Sequence, residues 1–136
     1  MSKNEIKEHE IPRKFYRPAI RRGGYLKGAE VTKQDWEEES EEKKYLLIID
    51  PKLGHSKLPK GLQKYLAKAK QEGVLDAFKV KSRQSWYSVP HVETPEAFLT
   101  YMSNLGAYLV QNTFQASAPN TLHTIKLKDS LFDKVN

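Results

Sequence analysis

The 136-residue chain has no cysteine. Disulfide frameworks, cysteine nucleophiles and thiolate metal sites are therefore excluded. Its four histidines, His9, His55, His91 and His123, all lie far apart, so no local HxxxH ligand pair exists and a structural zinc module is not expected. None of the seven glycines falls in a GxGxxG or GxxxxGK[ST] loop. No serine occupies a nucleophile elbow, and no two carboxylates sit where their environments would drive their pKa values apart. No reaction is suggested by these residues, and a binding domain is the better expectation. The chain also lacks the ~18 consecutive apolar residues of a membrane span, and the polar start MSKNEIKEHE lacks the apolar run of a secretory signal. A soluble, cytoplasmic protein is expected. Apolar residues make up 38% of the chain, below the roughly 45–50% usual for globular proteins, so one domain with a modest core is expected.

What is abundant is charge, and it is segregated. The net charge of +6 conceals three blocks. Residues 11–27 hold six cations (Arg13, Lys14, Arg17, Arg21, Arg22, Lys27) and no acid; residues 30–42 hold seven acids and one cation, Lys33. Residues 52–83 hold nine cations against Glu72 and Asp76. A basic block is often only a solvated face. Two of them, with Phe15, Tyr16, Tyr25 and Tyr65 interleaved and Trp86 and Tyr87 just beyond, point to a polyanion, because phosphate neutralisation releases counterions and rings pack on sugars or bases. Nucleic acid fits better than an acidic membrane surface, which would need an exposed apolar helix face.

Residues 1–10 alternate charge without an apolar period and read as a disordered or extraneous start, with one domain over residues 11–136. Pro12 and Pro18 keep the next segment extended, and Gly23 and Gly24 mark a turn. Thr32 with Asp35 three residues on resembles a capping box and predicts a short helix. The acidic run 37–42 that follows reads as a solvated loop or frayed helix rather than a metal site. Tyr45, Leu46, Leu47, Ile48 and Ile49 predict a buried strand ending at Asp50. Asp50 and Lys52 together suggest a nuclease site only superficially, since no second carboxylate occurs before Glu72.

The spacing of Leu62, Tyr65, Leu66 and Ala69 predicts a helix over residues 59–73, with Pro59 in its first turn and Gly73 as C-terminal cap. Lys60, Lys64 and Lys68 fall on the face opposite that seam, with Lys70 at its margin. Strands are expected at 78–80 and 86–89, a helix capped by Thr94 with Phe98, Leu99 and Met102 on its buried side, strands at 108–110 and 122–127, and a last helix after Asp129. The order suggests an α+β fold: a small mixed or antiparallel sheet and two to four helices.

The segments GYLKG (24–28), YLLIID (45–50), LPKGLQKYL (58–66), RQSWYSVP (83–90), FLTYM (98–102) and NTFQASAPNTLH (112–123) are similar to one family. Across residues 18–128 the chain resembles the C-terminal target-recognition region of adenine-specific DNA methyltransferases of bacterial restriction-modification systems, the TaqI-like specificity domains. Its most specific elements are RxxWY at Arg83, Trp86 and Tyr87 and NTLH at residues 120–123. The resemblance implies a division of labour. A separate N-terminal domain binds S-adenosylmethionine and carries an (Asn/Asp)-Pro-Pro-(Tyr/Phe) loop that methylates a flipped adenine, while the C-terminal region clamps double-stranded DNA and reads its bases. This sequence has no Pro-Pro dipeptide, so it is expected to be the non-catalytic recognition part of a larger polypeptide, with no cofactor of its own.

The DNA-binding residues expected on these grounds are Arg21, Arg22, Lys27, Lys57, Lys60, Lys64, Lys81, Arg83, Ser85, Trp86, Tyr87, Asn120, Thr121 and His123. Arg83 suits a phosphate or a guanine edge. Trp86 is read either as a packing residue or as a DNA contact, and Asn120 either as a turn residue or as an adenine reader. Two alternatives stay open: a protein-interaction module docking on a methyltransferase or nuclease subunit, and an RNA-binding domain that uses Trp86 and Tyr87 as stacking platforms.

Overall fold

Short helices and strands of three to twelve residues make up two compact units of this chain, one of residues 1–18 and 42–92, the other of residues 19–41 and 93–136. The computed structural model describes residues 1–38, 44–76, 83, 85–89, 94–100, 106–118 and 122–126. The expected strand at 78–80 and final helix after Asp129 lie outside the described residues.

In the first unit, helix α1 (Lys3–Glu8) forms where a disordered start was expected. Six residues are too few for an apolar period to show, and local chemistry supplies the order instead. Glu5 N–H donates to the Ser2 hydroxyl (3.1 Å) and Ser2 N–H to the Glu5 carboxylate (2.6 Å), a complete capping box. At the other end Glu10 takes a left-handed backbone (φ 48°), with Ile11 N–H on the Ile6 carbonyl (3.0 Å) and Glu10 N–H on that of Lys7 (3.2 Å). This is a Schellman ending, and the two residues it joins, Ile6 and Ile11, are both in the core.

Strand β1 (Tyr16–Pro18) pairs antiparallel with β2 (Tyr45–Leu47), Arg17 opposite Leu46. The expected strand at 45–49 is thus regular only to Leu47, although Ile48 N–H still donates to the Phe15 carbonyl (2.7 Å) and Ile49 is fully buried. Helix α3 (Lys60–Gln71) matches the predicted span, with Gly73 (φ 81°) supplying the left-handed residue beyond its end. Leu62 and Leu66 turn inward onto Ile6, Ile11, Phe15, Ile49 and Leu58. Gly61 lets α1 close on α3: a Cβ there would lie 1.7 Å from the His9 carbonyl oxygen. One turn further along α3, Tyr65 meets the His9 ring edge-on at 5.4 Å.

Among the described residues, the second unit holds a three-stranded antiparallel sheet and one short α-helix. Helix α2 (Lys33–Glu38) begins at the predicted box: Thr32 N–H donates to the Asp35 carboxylate (2.8 Å) and Asp35 N–H to the Thr32 hydroxyl (3.2 Å). The Thr32 hydroxyl, which itself donates to the carboxylate (2.7 Å), and then the Thr32 N–H and the charge of Lys27 hold the Asp35 carboxyl below its ordinary pKa. Trp36 is buried against Phe114 (5.2 Å), its indole N–H on the Ala19 carbonyl.

The helix expected after Thr94 is replaced by β3 (Ala97–Thr100), the central strand. Phe98 lies opposite both Val110 of β4 (Tyr108–Gln111) and Thr124 of β5 (His123–Ile125), so ladders on both sides outweigh a local Thr-Pro-Glu start signal. The strand expected at 122–127 appears as β5. Asn112 is buried and its amide makes three backbone bonds, donating to the carbonyls of Pro95 (2.7 Å) and Ala116 (2.9 Å) and accepting from Ala116 N–H (3.0 Å). The α+β class and antiparallel pairing are as expected, with the pairing divided between two small sheets. Among the described residues no helix is long and apolar enough to cross a membrane.

Candidate nucleic-acid interface

The first unit concentrates cations on α3. Residues four apart on a helix are one turn apart on one face, about 6 Å along the axis, so Lys60, Lys64 and Lys68 form a row. All three are exposed, as are Lys57 just before the helix and Lys70 near its end. None of these five lysines has an acidic partner among the described residues. The row is unfavourable for folding. Like charges at i, i+4 oppose a helix by about 0.2–0.5 kcal/mol per pair, and Lys60 stands at the positive end of the helix dipole, where a cation is disfavoured. No acidic residue occurs in the first turn of α3 to offset it.

The RxxWY segment lies in the same unit, as a turn rather than the expected strand. Both the amide and the hydroxyl of Ser88 donate to the Ser85 carbonyl (2.9 and 2.8 Å) and fold residues 85–88 back on themselves. Trp86 and Tyr87, edge-to-face at 5.7 Å, are half-buried against the core. The Tyr87 hydroxyl donates to the Leu53 carbonyl (3.3 Å), and its ring lies 6.1 Å from that of His55. His55 opens the single 3-10 turn His55–Lys57 that delivers Lys57 to the start of α3. Ser85, Trp86, Tyr87, His55 and Lys57 therefore belong to one neighbourhood of one unit, from which α3 carries Lys60 and Lys64 onward, and Arg83 is half-buried two residues before the turn. His55 was not anticipated as a member, since only its ring contact with Tyr87 reveals it. Lys68 extends the row by one further turn.

The other expected residues fall elsewhere. Arg21, Arg22 and Lys27 are exposed in the second unit, beyond Ile20, whose N–H is fixed on the Ser117 carbonyl (2.9 Å). His123 is exposed on β5, opposite Leu99. Lys81, Asn120 and Thr121 lie outside the described residues. In the polar stretch that begins at Asn112, the Asn112 amide is buried and both its N–H donors are committed to backbone carbonyls, so neither is left for a base edge. A cleft of about 580 Å³ in this unit, bordered by Pro95, Glu96, Gln111 and Thr113, carries no cation in its lining, so it does not suit phosphate.

Among the described residues no three His, Asp or Glu side chains gather as a metal site. The Asp50 carboxylate instead accepts the Lys52 backbone N–H (2.8 Å). The resulting chemistry is that of a cationic, donor-only face beside partly packed aromatics, suited to holding a phosphate backbone.

The family model described as type II methyltransferase M.Eco57I, C-terminal domain, matches residues 1–135. No curated protein and no solved structure matches the chain significantly.

Proposed function

The chain belongs to the family of type II methyltransferase C-terminal domains, and from that footing we propose that it is the part of such an enzyme that grips double-stranded DNA and reads its target sequence. The observation that supports the reading is the row of exposed, unpaired lysines on α3, whose mutual repulsion opposes the helix and would be relieved by an anion. The first step is electrostatic capture: Lys57, Lys60, Lys64 and Lys68 displace counterions from successive phosphates. If all four engage, they contribute about −3.6 to the slope of log affinity against log salt. Arg83, Asn120, Thr121 and His123 are the candidates for base contacts, with Arg21, Arg22 and Lys27 as further backbone contacts.

Adenine as the methylated base and S-adenosylmethionine as the methyl donor follow from the sequence resemblance. Both chemistries would belong to a catalytic domain, because this sequence has neither the Pro-Pro loop nor a glycine-rich cofactor loop. The role of this chain is binding and orientation. A single-strand RNA platform is less well supported, because Trp86 and Tyr87 are half-buried against the core and each other.

Competition between labelled duplex DNA and unlabelled single-stranded DNA or RNA tests the reading. Duplex should displace the label at far lower concentration than either single strand. Equal competition by single strands, or no binding to duplex at moderate salt, would overturn it.

A further inference from the structure

The first unit has a second cationic feature, none of whose lining residues belongs to α3. Lys14 and Lys52 are thirty-eight positions apart, yet they line one cleft of about 420 Å³ together with Phe15, Ile48, Asp50 and Leu53. That volume is within the roughly 300–1,000 Å³ typical of small-ligand sites. Two local arrangements bring the lysines together. Ile48 N–H on the Phe15 carbonyl (2.7 Å) joins the first segment to the end of β2, and Leu53 N–H on the Asp50 carbonyl (2.9 Å) turns the chain back beyond it.

The lining has three chemistries. The Lys14 ammonium lies 5.1 Å from the centroid of the Phe15 ring, and neither Lys14 nor Lys52 has an acidic partner among the described residues. Phe15, Ile48 and Leu53 contribute apolar surface. Asp50 is exposed, and while one carboxylate oxygen accepts the Lys52 N–H, the other has no partner among the described residues.

A ligand that matches all three has an anion for the lysines, a flat apolar body for the floor and an N–H donor for the carboxylate. We propose that this cleft receives one unstacked cytosine nucleotide of the bound DNA, its phosphate between Lys14 and Lys52 and its N4 amine donating to Asp50. A carboxylate accepting from cytosine N4 is an established form of base readout, and thymine presents an acceptor at the same place. The cleft borders the DNA-gripping neighbourhood, since Leu53 both lines it and accepts the Tyr87 hydroxyl. The inference rests on the DNA-binding reading and adds a base-selective pocket to it.

The test is an NMR titration of the whole isotope-labelled chain with deoxycytidine monophosphate, thymidine monophosphate and inorganic phosphate, following the backbone amides of Lys14, Asp50, Lys52 and Leu53. The cytosine nucleotide should move these amides and bind about 5–10-fold more tightly than the thymine nucleotide, the lower range of one base-edge contact, with inorganic phosphate weaker than both. Lys14→Gln and Lys52→Gln should each weaken all three ligands. Asp50→Asn retains an oxygen for the Lys52 N–H, so the fold should persist while the preference for cytosine disappears.

Equal binding of the two nucleotides, inorganic phosphate binding as well as they do, or no movement of these amides would overturn the pocket. Duplex binding is measured on the same samples. Duplex bound with no nucleotide in the cleft refutes the pocket alone, whereas failure to bind duplex refutes the DNA reading and with it the pocket's place on DNA.

Discussion

Replacing Lys60 and Lys64 together by Gln should make the protein more stable and a poorer DNA binder, two effects with one cause. The pair of substitutions removes both i, i+4 repulsions in the row, Lys60 with Lys64 and Lys64 with Lys68, worth about 0.2–0.5 kcal/mol each. It also removes a cation from the N-terminal end of α3, worth about 0.3–1 kcal/mol. Lys68 and Lys70, in the last turn where the dipole favours them, are left in place. Stability at low ionic strength should therefore rise by about 1 kcal/mol, read as a higher urea midpoint with an unchanged slope. At molar salt, where the Debye length of about 3 Å is shorter than the ~6 Å axial spacing of the lysines, most of that gain should vanish. Duplex affinity should move the other way. Two lost phosphate contacts reduce the salt slope by about 1.8, so the deficit relative to wild type shrinks roughly 12-fold between 50 and 200 mM salt. Fluorescence anisotropy with a short labelled duplex measures it. A variant that is less stable at low salt, or one that keeps both the affinity and the salt slope of the wild type, would refute the reasoning.

Other perturbations test the frame that holds the row. Gly61→Ala puts a methyl group 1.7 Å from the His9 carbonyl oxygen, so α1 should be forced off α3 at a cost of about 1–3 kcal/mol, visible as lost amide-exchange protection at Ile6 and Ile11. Glu10→Gly relieves a left-handed non-glycine residue and should raise stability by up to about 1 kcal/mol in urea unfolding. Asn112→Ala removes an amide that makes three buried hydrogen bonds, and should cost about 2–4 kcal/mol of stability while leaving the α3 contacts unchanged in NMR spectra.

The Tyr65 hydroxyl is pushed up to about 12, chiefly by burial and then by the carboxylates of Glu5 and Glu72. Its folded pKa lies above the ordinary value of 10.0, so its contribution to stability is fully present below about pH 10 and is lost as pH rises toward 12. An ultraviolet titration should show one late-ionising tyrosine that disappears in Tyr65→Phe.

The sequence disclosed features whose cause is local. Helix α3 is evident in the spacing of Leu62, Tyr65, Leu66 and Ala69 and in Gly73, and α2 in the Thr32–Asp35 pair. Helix α1 carried the same kind of signal in Ser2 and Glu5, masked by an alternating charge pattern and by having only Ile6 to bury. What remained hidden depended on distant partners. Ala97–Thr100 becomes a strand because β4 and β5 flank it, and nothing near Thr94 announces them. Gly61 has meaning only through the approach of His9, fifty-two positions away. For the interface, the lysine row was readable from periodicity, but its lack of acidic partners was not, since that depends on where the carboxylates fold. The RxxWY segment was recognised as a unit, while its form as a turn packed on the core arises from Ser85–Ser88 bonding and the Leu53 carbonyl.

The central claim is that this domain holds duplex DNA by its phosphates through the α3 row. The measurement that tests it most directly is the equilibrium affinity of the whole chain for a short duplex across a range of salt concentrations. A straight log–log decline is expected, with a slope of about −3.6 or steeper, four lysines each contributing about −0.9 and any further cations adding to it. An affinity that stays flat from low to physiological salt would contradict it.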